Sequence, residues 1–276
     1  MNLVQQNIEY NRKTHDLIAE VYNQSHPEIY NSVEQERIQQ VVLELISKIG
    51  TMEKIKVLDF GSGTGNLSLK FLEQNCEVTS CDISQKSLNL IGKIAKNKEN
   101  LNTVILTGKD LPFSSNTFDI VATYSVLHHV PDYLNAVNEM IRVCKPNGLV
   151  YIDHERNDHF WFPGEKLKEW QKLTTETVFE QFKRVLSTKV LFTPNFIKSI
   201  FIKLFIDKRY NREGDLHVWK DDHIEWTKIT ELAKSLQCEI EKEEDFLLFS
   251  PKVKYNIYKH YKSYCCDTRY ICLRKK

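Results

Sequence analysis

The sequence has no run of about 18 apolar residues, the length that a helix needs to cross a bilayer. Its first residues, MNLVQQNIEYNRKTHD, are polar and lack the apolar core of a secretory signal peptide. The 38 Lys and Arg residues nearly balance 37 Asp and Glu residues, and a net charge of +1 gives no basic field to attract nucleic acid. We therefore predict a cytoplasmic protein with no transmembrane segment and no nucleic-acid partner.

Cysteine patterns that bind zinc or form local disulfides are also missing. The seven cysteines include no Cys-x-x-Cys pair, no Cys/His set has zinc-finger spacing, and the neighbours Cys265 and Cys266 cannot easily close on each other. We expect reduced thiols and no metal site. Glycine is scarce as well, with 9 residues in the chain, yet three of them fall within residues 61–65.

From residue 55 onward, short apolar runs alternate with segments of helical periodicity. The predicted strands are residues 55–61, 76–82, 102–108, 118–125 and 148–155, and the predicted helices between them are residues 66–74, 84–98 and 133–144. Strands separated by helices of this length form a parallel sheet with right-handed crossovers. We predict a doubly wound α/β domain, followed by a helix at residues 222–236 and two β-like runs at residues 238–250 and 268–274.

Further helical segments flank this core. Apolar residues recur at helical spacing between residues 14 and 49, with a break at Pro27 and a suitable helix end at Gly50. Residues 156–210 contain eleven aromatic residues and no clear strand pattern. The predicted organisation is an N-terminal helical segment (1–50), a core (51–155), a helical cap inserted after the fifth strand (156–221), and a last helix with a terminal β-hairpin (222–276).

The segment VLDFGSGTG, residues 57–65, predicts a ligand site. A buried strand leads into Asp59, and Gly61, Gly63 and Gly65 then open a helix, where glycine lets the backbone turn sharply and approach a ligand. Dinucleotide-binding enzymes use G-x-G-x-x-G, whereas this chain has G-x-G-x-G followed by asparagine, which disfavours a dehydrogenase. The acidic residue before the glycines favours a cofactor with an amino-acid end over one with a pyrophosphate.

A second carboxylate ends the next predicted strand. Asp82, in the sequence CDIS, stands where a carboxylate can accept hydrogen bonds from both hydroxyls of a ribose. The alternative is that Asp82 caps the following helix, although Ser84 suits that role. We favour the ribose.

Residues 55–152 resemble the class I S-adenosylmethionine-dependent methyltransferases, in particular their small-molecule branch. The resemblance rests on five segments in order: VLDFGSGTG, CDIS, GKDLPF, FDIVATYSVLHHVPD and CKPNGLVYI. It implies a Rossmann-like, mostly parallel seven-stranded sheet, whose last antiparallel strand comes from the terminal hairpin. It also implies S-adenosylmethionine as the cofactor and methylation of a small molecule at oxygen, nitrogen or carbon.

The resemblance also implies roles for particular residues. The methionine end of the cofactor is assigned to Asp59, Gly61, Ser62, Gly63 and Gly65, the ribose to Asp82, the adenine to Ile83, Asp110 and Leu111, and the channel towards the sulfonium to Tyr124 and Ser125. An N-terminal helix of the family commonly folds over the cofactor, and here Tyr22 or Tyr30 is the candidate, with packing in the cap as the alternative.

Catalytic candidates follow the strands at the edge where ligands bind in open α/β sheets. Methyl transfer is mainly a matter of holding the acceptor in line, so a base is needed only where the acceptor must lose a proton. The candidates are His128 and His129, which otherwise form a structural turn; His154, with Asp153 and Glu155, which are otherwise a solvated strand end; and His217, with Trp219 and His223, which otherwise begin a helix.

The cap predicts the character of the acceptor. Its aromatic residues include Phe160, Trp161, Phe162 and Trp170, and a stripe at helical spacing runs from Phe196 to Phe205. We expect a helical roof over the site and an apolar or aromatic acceptor pocket. The stripe could instead form a homodimer interface. The competing function is an inactive S-adenosylmethionine-binding regulatory or scaffold protein.

Overall fold

The computed structural model describes residues 9, 11–13, 15–16, 19–20, 22–51, 53–107, 110–175 and 223–276. Its centre is a seven-stranded sheet with the order β3-β2-β1-β4-β5-β7-β6. Strands β1 to β5 run parallel, and β7 is antiparallel to both β5 and β6. The strands are β1 (Lys56–Phe60), β2 (Glu77–Asp82), β3 (Leu101–Ile105), β4 (Phe118–Tyr124), β5 (Cys144–Arg156), β6 (Cys238–Phe246) and β7 (Thr268–Lys275). The predicted sheet, including the antiparallel terminal hairpin, is confirmed.

The helices of the described ranges are α1 (Tyr22–Ser25), α2 (Ser32–Ile49), α3 (Asn66–Glu73), α4 (Gln85–Ile94), α5 (Tyr133–Val143), α6 (Asp158–Trp161), α7 (Glu165–Thr174), α8 (Trp226–Ser235) and α9 (Tyr255–Lys262). Of these, helices α2, α3, α4, α5 and α8 pack against this sheet. Helix α2 ends at Gly50, whose φ of 62° gives the left-handed cap that glycine adopts without strain. The hydroxyl of Ser84 accepts a hydrogen bond from the N–H of Ser87, so Ser84 is the cap of α4, as predicted.

Two apolar layers sandwich the sheet. One joins α2 and α3 to the strands through buried residues such as Ile38, Val42 and Phe71. The other joins α5 and α8 to the opposite face through Met140 and Ile229. Strands β1 and β4 are buried along nearly their whole length, because helices cover both faces of a doubly wound sheet.

The structure corrects three expectations about the elements. Strand β5 begins at Cys144 instead of residue 148, and α8 begins at Trp226 instead of residue 222. Helix α9 fills the long connection of the terminal hairpin, which the sequence reading left without an element. It packs on α7, so Trp170 is buried against Tyr258 instead of roofing a ligand site.

The predicted stripe from Phe196 to Phe205 and the candidate His217 lie outside the described residues. The described start of the cap is helical, in α6 and α7. All seven cysteines are free thiols. No helix in the described ranges is both long and apolar enough to cross a membrane. The cytoplasmic location and the homodimer stay predictions.

Candidate active site

The glycine-rich turn between β1 and α3 is fixed against β2. The N–H of Gly61 donates to the carbonyl of Cys81 at 2.9 Å, and the N–H of Gly63 donates to Oδ2 of Asp82 at 2.8 Å. Both glycines have positive φ, 69° and 50°. A Cβ on Gly61 would lie 2.5 Å from a methyl carbon of Val126. The turn therefore needs glycine at position 61 for two reasons, its φ and the space.

Asp82 connects this turn to the start of α4. Its Oδ1 accepts a hydrogen bond from the N–H of Ser84 at 2.8 Å while Oδ2 accepts from Gly63. Burial raises the pKa of Asp82, and these backbone hydrogen bonds act against that rise. A carboxylate has about four acceptor positions, so Asp82 can still accept from a ligand. It also lines the cavity described next, as its predicted role requires.

The first cavity lies between this turn, the end of β4 and the N-terminal segment, and has a volume of about 180 Å³. Ten of the twelve residues predicted to bind the cofactor line it: Tyr22, Gly61, Ser62, Gly63, Asp82, Ile83, Asp110, Leu111, Tyr124 and Ser125. Further lining residues include Thr64, which belongs to the glycine-rich segment, the catalytic candidate His129, and two residues that carry no motif, Asn11 and His15. No local pattern could have identified Asn11 and His15, because only the fold brings the N-terminal segment to this cavity.

The two remaining predicted residues are Asp59, before the glycine-rich turn, and Gly65, at its end. Asp59 is 2% exposed and accepts hydrogen bonds from the backbone N–H and the hydroxyl of Ser68, at 2.9 and 2.5 Å. Gly65 has a φ of 96°, and a Cβ there would lie 3.0 Å from Ile91. Neither residue lines the cavity. Asp59 therefore holds the first turn of α3, and its assignment to the methionine end of the cofactor stays a prediction.

The buried position of Asp59 predicts a pH dependence of stability. Burial raises the pKa of Asp59 to about 7, whereas an unfolded aspartate titrates near 3.9. The native state therefore binds a proton that the unfolded state releases, and this stabilisation is fully present below about pH 4 and lost as the pH rises through about 7. We expect the free energy of unfolding to fall by on the order of 2–4 kcal/mol over this window. Urea denaturation between pH 4 and 8 measures it.

The matched control for that measurement is Asp59→Asn, which keeps an oxygen for Ser68 and does not titrate. Its stability should lack this part of the pH dependence. Identical pH profiles of the wild type and the variant would show that Asp59 titrates normally.

The N-terminal segment covers the first cavity with two tyrosines. Tyr22 and Tyr30 both line it, with their rings at 88° and their centroids 6.3 Å apart. The hydroxyl of Tyr30 lies 3.0 Å from the hydroxyl of Thr64, in the glycine-rich turn. Both tyrosines are therefore placed where they could contact a ligand in the first cavity, and their role in cofactor binding stays a prediction.

Three buried polar atoms around this cavity have no hydrogen-bond partner among the described residues. They are Oδ1 of Asn11, Oγ of Ser62 and Nδ2 of Asn66. Buried polar groups are nearly always hydrogen-bonded, since leaving one unsatisfied costs about 1–3 kcal/mol. A polar ligand that satisfies them is the simplest explanation of their positions.

A second cavity, of about 200 Å³, adjoins the first. Tyr22, Ile29 and Ser125 line both. The other residues of the second cavity are His26, Glu28, His128, His154, Glu155, Arg156, Phe160, Trp161 and Ile224. Two of the predicted catalytic histidines, His128 and His154, are thus brought together here, whereas His129 lines the first cavity.

Glu155 organises the turn after β4. It is fully buried, and its Oε1 accepts the N–H groups of Val126 and Leu127 at 2.9 and 2.7 Å. Its Oε2 lies 2.8 Å from Nδ1 of His128. A carboxylate that accepts at Nδ1 fixes the ring orientation and places the proton on that nitrogen. The carboxylate holds both the turn and the ring of His128. A structural role of this turn and a catalytic role of His128 are therefore compatible.

Asp153 takes part in a buried network and faces neither cavity. Its Oδ2 accepts from Arg37 at 2.7 Å and from the hydroxyl of Tyr151. Arg37 also donates to Glu34 at 2.6 and 2.9 Å, and the hydroxyl of Tyr124 donates to Glu34 at 2.8 Å. This network joins α2 to the ends of β4 and β5. The acceptor-facing alternative does not apply to Asp153.

His154 adopts a backbone conformation that is rare for its residue type. Its φ is 61°, at an irregularity in the pairing of β5 with β7, and its ring stacks on Tyr124 with centroids 4.6 Å apart. Burial, with the charges of Arg156 and Arg37, holds the pKa of His154 well below its ordinary value. The ring is therefore neutral in the folded protein.

One further group of metal-ligating side chains occurs in the described ranges. Ligand atoms of His159, Asp245 and Cys266 lie within 4.8 Å of one another. Both carboxylate oxygens of Asp245 already accept from Arg269, at 2.6 and 2.9 Å. A metal ion at this position would have to displace the guanidinium of Arg269 or bind next to its positive charge. We therefore interpret the group as an Asp245–Arg269 salt bridge and not as a metal centre.

The known proteins that this chain resembles in sequence and in structure include several methyltransferases. Residues 58–152 match a family model described as a methyltransferase domain. The demethylmenaquinone methyltransferase of Staphylococcus aureus (strain MRSA252) is 36% identical over 109 residues, which are 38% of this chain and 45% of that protein. The chain thus spans less than half the length of this curated relative.

Two solved structures show the same fold over most of the chain. The magnesium protoporphyrin IX methyltransferase of Synechocystis PCC 6803, with bound SAM, aligns with a TM-score of 0.55 at 13% identity over 100% of both chains. A SAM-dependent methyltransferase from Methanosarcina mazei aligns with a TM-score of 0.52 at 17% identity, over 85% of this chain and 96% of that one. The fold is the one seen in these SAM-dependent methyltransferases, and residues 58–152 match the model of a methyltransferase domain, in agreement with the resemblance seen in the sequence.

Proposed function

We propose that this protein is an S-adenosylmethionine-dependent methyltransferase that acts on a small molecule. The observation that carries the proposal is the convergence of unsatisfied buried polar atoms and of ten predicted cofactor residues on one cavity. That cavity shares its wall at Ser125 and Tyr22 with a second cavity, where the acceptor would lie. Two adjoining cavities are what a transfer between two bound molecules requires.

The residues of the first cavity fit the cofactor. Ser62 and Asn66, beside the glycine-rich turn, would meet the charged amino-acid end, and the carboxylate of Asp82 would accept from the ribose hydroxyls. Ile83 and Leu111 would pack on the adenine, with the exposed Asp110 at its edge. When bound, the cofactor supplies an electrophilic methyl group: the acceptor's lone pair forms the bond to carbon, the carbon–sulfur bond breaks, and sulfur keeps its electron pair.

The protein's own contribution would be position, exclusion of water and, for a hydroxyl acceptor, a place for the proton. Tyr22 lines both cavities and Tyr30 lines the first, and together they would keep water from the reacting atoms. His128 lies in the second cavity, and Glu155 orients its ring. The proton of an acceptor hydroxyl would pass to this imidazole, and the carboxylate of Glu155 would stabilise the resulting positive charge.

Calorimetric titration tests the proposal directly. We expect S-adenosylmethionine and S-adenosylhomocysteine to bind with one site per chain and NAD to give no heat, since the turn lacks the dinucleotide glycine spacing. Binding of NAD without a response to either sulfur compound would overturn the proposal. Asp82→Ala provides the site control and should weaken both sulfur ligands by about 10- to 150-fold, because each hydrogen bond to a charged group contributes about 1.5–3 kcal/mol.

A further inference from the structure

Three ring nitrogens in the second cavity are buried and have no hydrogen-bond partner among the described residues. They are Nε2 of His26, Nε2 of His154 and Nε1 of Trp161. They are separate from the three unsatisfied atoms of the first cavity, so a ligand in the first cavity does not explain them. Because an unsatisfied buried nitrogen is costly, these three nitrogens make the second cavity suitable for a polar ligand of its own.

Each of the three rings is held in place by a neighbouring ring. His26 stacks on Tyr22 with centroids 4.0 Å apart, and His154 stacks on Tyr124. Trp161 packs against Phe160, with centroids 5.2 Å apart and the rings nearly perpendicular. Rings fixed in this way present their nitrogens in a constant geometry, which is what selective recognition of a small molecule requires.

The backbone at the junction of the two cavities is strained. Ser125 and His154 both have positive φ, 58° and 61°, and Ser125 donates its N–H to the carbonyl of Asp153 at 2.9 Å. Non-glycine residues in this region cost about 1–3 kcal/mol each and persist where a site needs them. Both residues line the second cavity, so this strain directs the ring of His154 to the ligand position.

The donor and acceptor properties of the nitrogens define the ligand. Nδ1 of His26 lies 2.9 Å from the carbonyl oxygen of Tyr22, and a carbonyl only accepts, so the hydrogen is on Nδ1. In the neutral ring, Nε2 of His26 is then an acceptor, whereas the indole N–H of Trp161 only donates. The ligand must therefore offer both a donor and an acceptor, and hydroxyl groups are both.

The size and charge of the cavity narrow the class further. Its volume of about 200 Å³ exceeds the roughly 150 Å³ of an engineered cavity that holds benzene, so a single ring with substituents fits. Three charged residues line the cavity, and none of them is free: Glu28 has a partner, Glu155 is paired with His128, and Arg156 is paired with Asp267 at 2.9 Å. An ammonium or carboxylate group on the ligand would have to disrupt one of these pairs.

We propose that the molecule methylated by this protein is an uncharged aromatic ring bearing at least two hydroxyl groups, which His26, His154 and Trp161 recognise. The ring of His154 also stacks on Tyr124, which lines the first cavity, so it lies at the boundary between the two proposed sites. The inference rests on the proposed function, because the second cavity is taken as the acceptor site.

The test measures binding, so it does not require the natural acceptor. Protein saturated with S-adenosylhomocysteine is titrated with catechol, and with benzylamine and benzoate as cationic and anionic rings of similar size. We expect catechol to bind at least about tenfold more tightly than either charged ring. Trp161→Phe and His26→Phe, which keep an aromatic ring and remove the nitrogen, should each weaken catechol about five- to tenfold, the value of one hydrogen bond.

The exposed His260 on α9 provides a matched control, and His260→Ala should bind catechol like the wild type. Thermal unfolding verifies that each variant is folded. Equal or tighter binding of benzoate or benzylamine, no binding of catechol, or an unchanged affinity in both folded cavity variants would overturn the inference. A protein that fails to bind S-adenosylhomocysteine at all would instead contradict the proposed function, so the two failures are distinguishable.

Discussion

Replacing Gly61 with alanine should weaken the binding of S-adenosylmethionine by more than about 100-fold and lower the stability of the fold. A Cβ at this position would lie 2.5 and 2.6 Å from the two methyl carbons of Val126, closer than any real contact. The φ of 69° adds a steric cost of about 1–2 kcal/mol for a residue with a side chain. Overpacking of this kind costs a further 1–3 kcal/mol or so.

The loss of affinity follows from the connections of the turn. Gly61 and Gly63 are tied to β2 through Cys81 and Asp82, so a shift at Gly61 moves the groups that would hold both the amino-acid end and the ribose. Calorimetry with S-adenosylmethionine and thermal unfolding measure the two effects. A Gly61→Ala protein with wild-type affinity would show that the turn does not contact the cofactor.

Two further variants separate the effect of the steric clash at position 61 from the effect of its positive φ. Gly92→Ala lies in α4, where a Cβ meets nothing within 4 Å, and should leave affinity unchanged while raising stability by about 0.5–1 kcal/mol. Val126→Ala added to Gly61→Ala relieves the clash and leaves the φ unfavourable. The double variant should therefore recover part of the stability and only part of the affinity.

Replacing Arg37 with alanine should lower the free energy of unfolding by about 3–5 kcal/mol, the range for removal of one partner from a buried ion pair. Arg37 joins two buried carboxylates, Asp153 at 2.7 Å and Glu34 at 2.6 Å. Both are almost inaccessible to water, with exposed side-chain fractions of 0% and 3%. Without the guanidinium, two like charges remain close together in the interior.

The deficit of this variant should depend on pH in a defined direction. In the wild type, burial already raises the pKa of Glu34, and the charge of Arg37 acts against that rise. Removing Arg37 raises the native pKa further, so the variant takes up a proton as the pH falls and recovers stability. Urea denaturation at pH 5 and pH 8 should therefore give the larger difference from wild type at pH 8.

The matched control is a salt bridge on the surface. Lys228 pairs with Glu225 with both side chains about half exposed, and Lys228→Ala should change the free energy of unfolding far less, because solvent screens a surface ion pair. A loss of the same small size for Arg37→Ala would show that the network stabilises the fold only weakly. A loss that does not change with pH would show that Glu34 takes up no proton when Arg37 is removed.

This network also links the fold to the site. Tyr124 donates its hydroxyl to Glu34, and its ring supports His154 at the boundary between the two cavities. The packing of α2 on the sheet therefore sets the position of a ring that faces the proposed acceptor. We expect variants of this network to lose acceptor binding before they lose cofactor binding, because Asp82 and the glycine-rich turn are held by separate contacts.

The parts of the protein that could be predicted from sequence depend on local chemistry. Apolar periodicity identifies the strands and helices because side chains repeat every two residues along a strand and about every 3.6 along a helix. The glycine-rich turn is recognisable because few residues other than glycine adopt positive φ without strain. Ser84 and Gly50 were assigned correctly as caps for the same reason, since a cap is decided within about four residues.

The carboxylates show where local chemistry stops being informative. Asp59, Asp153 and Glu155 all lie near strand ends, and from the sequence each was a candidate for the ligand site. Asp59 instead bonds to Ser68, and Asp153 bonds to Arg37, which is 116 residues away in the chain. The direction of Asp153, His154 and Glu155 depends on an irregularity in the pairing of β5 with β7, and that pairing partner lies more than 100 residues further on.

The sequence by itself therefore determined the doubly wound sheet, the glycine-rich turn and the carboxylate of Asp82, because each depends on neighbours within one strand–turn–helix unit. The second cavity was decided by the tertiary structure alone. His26 comes from the N-terminal segment, His154 from the end of β5 and Trp161 from α6, and nothing in their local sequence marks them as a group. They line one cavity because the packed sheet brings three distant segments to the same edge, where their buried nitrogens have no hydrogen-bond partner among the residues that the structure describes.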